Sequence, residues 1–328
     1  MLSKTQRCRL WAAARLRVYS VVACGRECDA GCVRAVDVAI ACCRRSADAR
    51  PDDLYPDPDA APLQAALAAR AATSVLVSWD DPNVDWAGFS KVLVSSTWDS
   101  VDRPAAYLEW VRSVTAVSVL VNPASVLEWA IDKVYLRDLD AAGVPVIPTA
   151  WVAPGDLWES LPGLEFVVKS SISAGGRSTA RYIAADPAAR AHVHALQRVG
   201  QTVMIQEYLS AIDIEGETDL VFVEGTFSHA VGKRPALTIG RGVVERPWER
   251  MQWSGVVSPS VDQFVVAKRT IEVIAGRFGH MPVYGRVDLV SDASGAPLIL
   301  EVELIDPYLS LDRDPESATK LAAALCRF

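Results

Sequence analysis

Short β-branched apolar runs alternate along this chain with longer stretches of helical periodicity. The runs VYSVVAC (18–24), SVLVSW (74–79), KVLVSSTW (91–98) and SVLVNP (118–123) are mostly bounded by Asp, Asn or Pro, which predicts strands. Between them, Pro62 stands where a helix begins and Leu63 to Ala72 repeat Leu and Ala. Tyr107 to Val114 is amphipathic. Strands alternating with helices predict a small α/β unit with a parallel sheet, ending near residue 123. The polar, Pro-rich stretch 51–61 reads as a loop.

The pattern changes after residue 123. A helix is expected over Ser125 to Gly143, broken near Ile131–Asp132 and stopped by Gly143. Strands are expected over 144–152, 164–171 and 203–209, a helix over 186–199, and a hairpin over 219–234 that turns at Gly225. Residues 241–258 read as irregular and 261–278 as a long helix. The strands 283–290 and 297–305 flank the turn Asp292–Gly295, and a last helix starts near Pro315. No internal repeat is visible.

Charge and cysteine divide the chain differently. Residues 1–50 hold ten Lys/Arg against four Asp/Glu, whereas the rest is acidic enough to bring the whole to −7. Six of the seven Cys (8, 24, 28, 32, 42 and 43) also lie there. Cys24, Cys28 and Cys32 could share one helix face as a metal or redox cluster, but neither His nor a CxxC pair joins them. A basic leader over residues 1–50 is the plainer expectation, and its broken apolar stretch does not resemble a signal peptide. With Cys326 alone in the remainder, the body is expected to be cytoplasmic. The acidic balance speaks against a nucleic-acid partner, and no apolar run is long enough to span a membrane. The motifs H-E-x-x-H, G-x-S-x-G, G-x-G-x-x-G and G-x-x-x-x-G-K-[ST] are all missing, which removes most familiar hydrolases, dinucleotide enzymes and P-loop proteins.

The remaining chemistry concentrates in three places. Arg286 and Asp288 are two apart on one strand, and Glu301 and Glu303 two apart on the next, so each pair shares a face. A hairpin brings Asp288, Glu301 and Glu303 together, and a hard divalent cation, Mg²⁺ or Mn²⁺, would relieve their repulsion. The same alternation also fits a hairpin whose polar face simply meets water. Second, Lys133 stands near a helix start, and Lys169 closes an apolar strand just before the loop SISAGGRST (171–179). Gly175 and Gly176 in that loop let backbone N–H groups approach a phosphate. With Lys233 and Arg286, four cations and three carboxylates suit a metal–nucleoside triphosphate. Third, QEYL (206–209) ends a strand where backbone groups could hold an adenine, with Glu215 or Glu217 reaching ribose hydroxyls.

This ordered set resembles the ATP-grasp superfamily, in particular its glutathione-synthetase-like branch. It covers Lys133, Lys169 with its glycine loop, QEYL, Lys233, R-x-D and E-x-E. SSTWDS (95–100), residues 122–149, FSHAVGKRP (227–235) and EVELIDPYLSL (301–311) are most similar to a stand-alone bacterial group. That group includes the ligase that closes D-cycloserine from O-ureido-D-serine. The resemblance spans roughly residues 60–328. It implies a small parallel-sheet domain over residues 51–123, with strand 18–24 as a candidate addition. An ATP-grasp fold of two α+β subdomains then covers 124–328, with a lid over about 149–208.

The resemblance also assigns roles. Lys133 and Lys169 would hold phosphates, and Ser171 to Thr179, with Ser173, Gly175 and Gly176, would form the loop over ATP. Gln206, Glu207, Tyr208 and Leu209 would line the adenine pocket. Lys233 would assist, Arg286 would stabilise the phosphorylated intermediate, and Asp288, Glu301 and Glu303 would ligate Mg²⁺. The implied activity is ATP-dependent joining of a carboxylate to an amine through an acyl phosphate, on a small amino-acid-like substrate. Its most specific form is cyclisation of O-ureido-D-serine, and intermolecular ligation or non-catalytic nucleotide binding are the alternatives. A homo-oligomer is in keeping with such relatives. Two features depart from the group: Glu303 stands where Asn is usual, and Gly25–Arg50 intervenes early.

Overall fold

The computed structural model describes residues 36–45, 50, 54–158, 163–234, 237–243, 252–314 and 316–327. A parallel sheet of order β2-β1-β3-β4 comes first: β1 is Val36–Cys42, β2 Ser74–Ser78, β3 Phe89–Ser96 and β4 Val119–Val121. Helices Ala60–Ala68 and Pro104–Thr115 cross over between these strands, as parallel pairing requires.

The opening strand corrects the sequence reading. The sheet's central strand is Val36–Cys42, inside the stretch expected to be leader, and Cys42 and Cys43 are buried in its core. The strand expected over 18–24 and the Cys24–Cys28–Cys32 grouping lie outside the described residues. So does most of the leader. Val38 and Ile40 face one covered side of the sheet and Ala39 and Ala41 the other, and the basic, Cys-rich composition around this short run masks it.

Two antiparallel sheets follow. β5 (Thr149–Val152), β6 (Glu165–Ser170), β7 (Thr179–Ile183) and β8 (Val203–Glu207) form a sheet of order β5-β8-β6-β7, backed by helix Pro187–Arg198. β9 (Glu217–Val223), β10 (Thr226–Lys233), β11 (Trp253–Val257), β12 (Tyr284–Ser291) and β13 (Pro297–Glu303) form the other, of order β11-β10-β9-β12-β13. Helix Val261–Phe278 packs on that sheet and starts from a capping box at Ser260 and Gln263. The expected helix break is real: helix Ala124–Ala130 ends, and Tyr135–Ala141 begins after Lys133. Strands β7 and β11 were not expected, since Arg181 interrupts one apolar run and Gly255 the other.

The first sheet is fastened to the large one by buried polar bonds. Asn122, at φ 61°, donates to the carbonyls of Tyr284 and Leu304 at 2.9 Å and accepts from the Val283 N–H at 2.8 Å. The Asp59 carboxylate accepts from the N–H groups of Leu309 and Leu311, both at 2.6 Å. Thr97 and Trp98, at the carboxyl end of β3, bond Asp306. The segment after β13 is therefore held between the two domains, outside the carboxyl ends of the parallel strands where α/β sheets bind ligands. Among the described residues, no helix is long and apolar enough to cross a membrane.

Candidate active site

A cleft opens between the two antiparallel sheets, and two lysines define one wall. The Lys133 N–H donates to the Ser171 carbonyl at 2.9 Å, so the helix start carrying one lysine is tied to the strand end carrying the other. Both side chains are buried. Lys133 Nζ reaches the Ser173 carbonyl at 2.5 Å and Glu301 at 2.9 Å. Burial pushes the Lys169 ammonium down to about 8, with Glu301 opposing that and Lys133 adding to it. Gly175 and Gly176 line the same cleft at φ 58° and 73°, a left-handed pair that bulkier residues adopt only under strain. Arg177 then pairs with Asp102 of the first domain at 2.6 Å.

One prediction follows from Lys169. Its charged form is the one that would hold an anionic phosphate, and that form is depleted above pH 8. ATP affinity is expected to weaken about tenfold per pH unit from pH 8 to 9.5, because one proton must then be taken up on binding. Lys169→Met should bind ATP weakly with no such slope. Calorimetric titration across that range checks it, and a flat wild-type profile contradicts it.

The apolar side of the cleft is built by Ile147, Val167, Ile212, Leu237 and Leu300, with Gln206, Glu207, Tyr208 and Leu209 on its rim. Gln206 is buried and donates to Thr149 Oγ1 at 2.8 Å. The Tyr208 ring lies under the Arg181 guanidinium, 3.4 Å from its centroid, and its hydroxyl donates to Asp213 at 2.6 Å. Arg181 is also paired with Glu165 and Asp213. A flat apolar slot with a braced aromatic at its rim suits a nucleobase.

Two residues expected at the nucleotide do not line the cleft. Glu215 stays exposed on the short helix Ile212–Glu215 and does not line the cleft, because the chain reverses at Gly216 before β9. Ser171 is buried behind the wall, its carbonyl spent on Lys133 and its hydroxyl without a partner. Glu217 lines the cleft and also joins the acidic group described next.

The acidic wall is where sequence reasoning fell short. β12 and β13 pair as expected, with Arg286 opposite Glu303 and Asp288 opposite Glu301. β9, however, lies on the other side of β12 and sets Asp219 directly opposite Asp288. Glu217, Asp219 and Asp288 have carboxylate oxygens all within 4.8 Å of one another. Glu301 and Glu303 are not part of that group. They are held by Lys133 at 2.9 Å and by Arg286 at 2.8 Å. Glu217 and Asp219 are two apart on one strand, a spacing that could have revealed them had β9 been placed beside β12.

Cations lace this wall together. Arg286 grips Asp288 with two bonds, at 2.7 and 2.8 Å, and donates to the Tyr308 carbonyl at 2.9 Å. Lys233 Nζ lies 2.5 Å from Glu217, 3.8 Å from Asp219 and 3.7 Å from Asp288. Burial raises Asp288, but the charges of Arg286 and Lys233 outweigh it and hold the carboxyl below its usual range. Asp219 goes the other way: burial and the Asp288 charge push it up to about 7. It is fully enclosed, yet neither of its oxygens has a hydrogen-bond partner. An enclosed carboxylate without donors, beside two others, fits a hard divalent cation better than any neighbour present. Glu217, Asp219 and Asp288 would hold it, with Glu301 and Glu303 adjacent.

Basic groups and a glycine loop face an acidic wall between two antiparallel sheets, and this combination defines an ATP-grasp ligase. Solved structures agree. D-Cycloserine synthetase DcsG superposes with a TM-score of 0.78 at 34% identity, covering 88% of this chain and 98% of that one. The Bacillus anthracis D-alanine–D-alanine ligase complexed with ATP shares the fold, with a TM-score of 0.58 at 12% identity, covering 89% of this chain and 97% of that one. In sequence, the cycloserine biosynthesis protein DcsG of Streptomyces lavendulae is 37% identical over 282 residues, 82% of this chain and 93% of that protein. Residues 38–122 match the family of the D-cycloserine synthetase DcsG N-terminal domain, which is the parallel sheet. The chain belongs to the DcsG family.

Proposed function

We propose that this enzyme cyclises O-ureido-D-serine to D-cycloserine at the expense of ATP. The observation that carries the reading is the paired geometry of the cleft, cationic on its phosphate side and acidic around Asp219, in a chain of the DcsG family.

A carboxylate is a poor electrophile, so its oxygen first attacks the γ-phosphorus of ATP, and ADP leaves. Lys133, Lys169 and the amides around Gly175 and Gly176 hold the phosphates while the γ-phosphoryl group moves. Glu217, Asp219 and Asp288 would hold magnesium, which when bound would supply positive charge for the phosphoryl transfer. Arg286, anchored on Asp288, Glu303 and Tyr308, presents a fixed guanidinium to the acyl phosphate. The ureido nitrogen of the same molecule then attacks the acyl carbon. A C–N bond forms, the C–O bond to phosphate breaks, and the nitrogen's proton leaves with phosphate or solvent. Water then breaks the bond between the ring nitrogen and the carbamoyl carbon, and the carbamoyl group leaves as carbamate, which falls apart to CO2 and ammonia, so that D-cycloserine remains. Holding both reacting ends of one molecule supplies the proximity that a bimolecular ligation must find by collision. The Arg177–Asp102 pair fastens the glycine loop to the first domain, and so keeps out water that would hydrolyse the acyl phosphate.

Buried free thiols at Cys42 and Cys43 support a reducing, cytoplasmic setting. The purified enzyme with ATP, Mg²⁺ and O-ureido-D-serine is expected to release ADP and D-cycloserine in equal amounts, followed by mass spectrometry. ADP release without cycloserine would reject the cyclisation.

A further inference from the structure

The Arg286 guanidinium and the first domain enclose a short stretch of chain between β13 and the last helix. Arg286 holds Glu303 at its start and the Tyr308 carbonyl near its end, at 2.8 and 2.9 Å. Asp306 stands between them, three residues from one hold and two from the other. At ~3.5 Å of reach per residue, its backbone cannot lie more than about 10 Å from either. Asp306 therefore lies on the segment that Arg286 holds, and the charge of Lys133, from the wall of the cleft, acts on its carboxyl. It sits at the domain interface, where Thr97 Oγ1 donates to its Oδ2 at 2.9 Å and Trp98 Nε1 to its backbone carbonyl at 2.9 Å.

The acidic groups around it are all differently employed. Asp99 accepts from Trp79 Nε1 at 2.7 Å and pairs with Arg103, while Asp80 pairs with Arg44 and Arg103. Asp57 accepts from Ser95 Oγ and the Asp59 N–H, one on each oxygen, and Asp59 likewise from the N–H groups of Leu309 and Leu311. Asp306 receives a side-chain bond on Oδ2 only, and among the described residues it pairs with no cation. It is partly open rather than sealed. Burial pushes its carboxyl up to about 7, a cost that an incoming cation would remove.

We propose that Asp306 binds the α-ammonium of the amino-acid substrate and so selects substrates that carry a free amine beside the carboxylate. This rests on the ligase reading above. Arg286 faces the carboxyl end of the α-carbon and Asp306 the amino end, with Thr97 fixing the carboxylate's orientation. An α-amino acid carries both groups on one carbon, so a single small molecule satisfies both sides at once.

The test pairs a variant with a substrate analogue. Wild type and Asp306→Asn are assayed with O-ureido-D-serine and with 3-(ureidooxy)propanoate, which lacks the amine. Asp306→Asn keeps an acceptor for Thr97 and is expected to lower kcat/KM for the amino substrate by about 10³, chiefly through KM. For the deaminated analogue, the two enzymes should agree within about threefold. A loss of equal size on both substrates, or no loss on the amino substrate, overturns the assignment. ATP affinity within twofold of wild type establishes that the variant is folded. If it is not, Thr97→Val should show a smaller loss confined to the amino-bearing substrate, and an equal loss on both again overturns the proposal. Should wild type ignore O-ureido-D-serine, the cyclisation reading fails by itself. The same comparison is then made with an amino acid that stimulates ADP release and with its deaminated analogue.

Discussion

Asp219→Asn is expected to lower turnover by about 10³ and, at the same time, to raise the melting temperature of the metal-free protein at pH 8. The first effect follows from its place in the acidic group: an amide is a far weaker ligand than a carboxylate for a hard cation, and 10³ corresponds to about 4 kcal/mol of lost transition-state stabilisation. The second follows from its burial. Asp219 is enclosed beside Asp288 with no donor on either oxygen, and its carboxyl is pushed up to about 7. A group whose folded-state value lies above its unfolded one favours folding while protonated, and that contribution is lost as pH rises through the folded value. At pH 8 the ionised carboxylate therefore costs stability that the neutral amide does not. Added Mg²⁺ with nucleotide should stabilise wild type and leave the variant almost unmoved. Calorimetric melts with and without Mg²⁺, alongside steady-state rates, read both effects. A variant that keeps its turnover would remove Asp219 from the site.

Arg286→Lys carries the second large effect, a loss of 10²–10³ in turnover with ATP affinity changed less than tenfold. Lysine keeps the charge but not the planar fork. Arg286 spends three directions at once, on Asp288, Glu303 and the Tyr308 carbonyl, and an ammonium cannot match those angles. The proposed phosphate site is Lys133, Lys169 and the glycine loop, so nucleotide binding should survive. Arg286→Ala is the harsher change, since it strands the buried Asp288 and the half-buried Glu303 and frees the 304–308 segment. Single-turnover measurements separate the step affected: ADP formation should slow with the substrate saturating. An Arg286→Lys enzyme slowed only in product release would contradict the role given to the guanidinium.

Much of this site is legible in the pattern of residues alone. Lys169, Lys233, Arg286, Asp288, Glu301 and Glu303 each sit where a strand end or a period-2 alternation announces them, and Lys133 where a helix starts, so local pattern fixes which face a side chain takes. The helix break at Ile131 is legible for the same reason. Asp219 is not. Its role depends on β9 lying against β12, a pairing of strands more than sixty residues apart that no local signal encodes. Arg181, braced on Tyr208, is hidden because a buried arginine makes a strand look like a loop. Val36–Cys42 carries Val36, Val38 and Ile40 at period 2, yet it lies inside the basic, Cys-rich stretch whose composition set the boundary of the leader at residue 50. Glu215 is misplaced by a single turn, which one glycine at positive φ is enough to divert.

The cyclisation proposed for this site depends on phosphorylation of the substrate's own carboxylate before the ring closes. O-ureido-D-serine labelled with ¹⁸O in that carboxylate tests it directly. Nitrogen attack on the acyl phosphate predicts that each inorganic phosphate released during turnover carries one ¹⁸O from the substrate, seen by mass spectrometry or ³¹P NMR. Unlabelled phosphate, formed at the same rate as cycloserine, would contradict it.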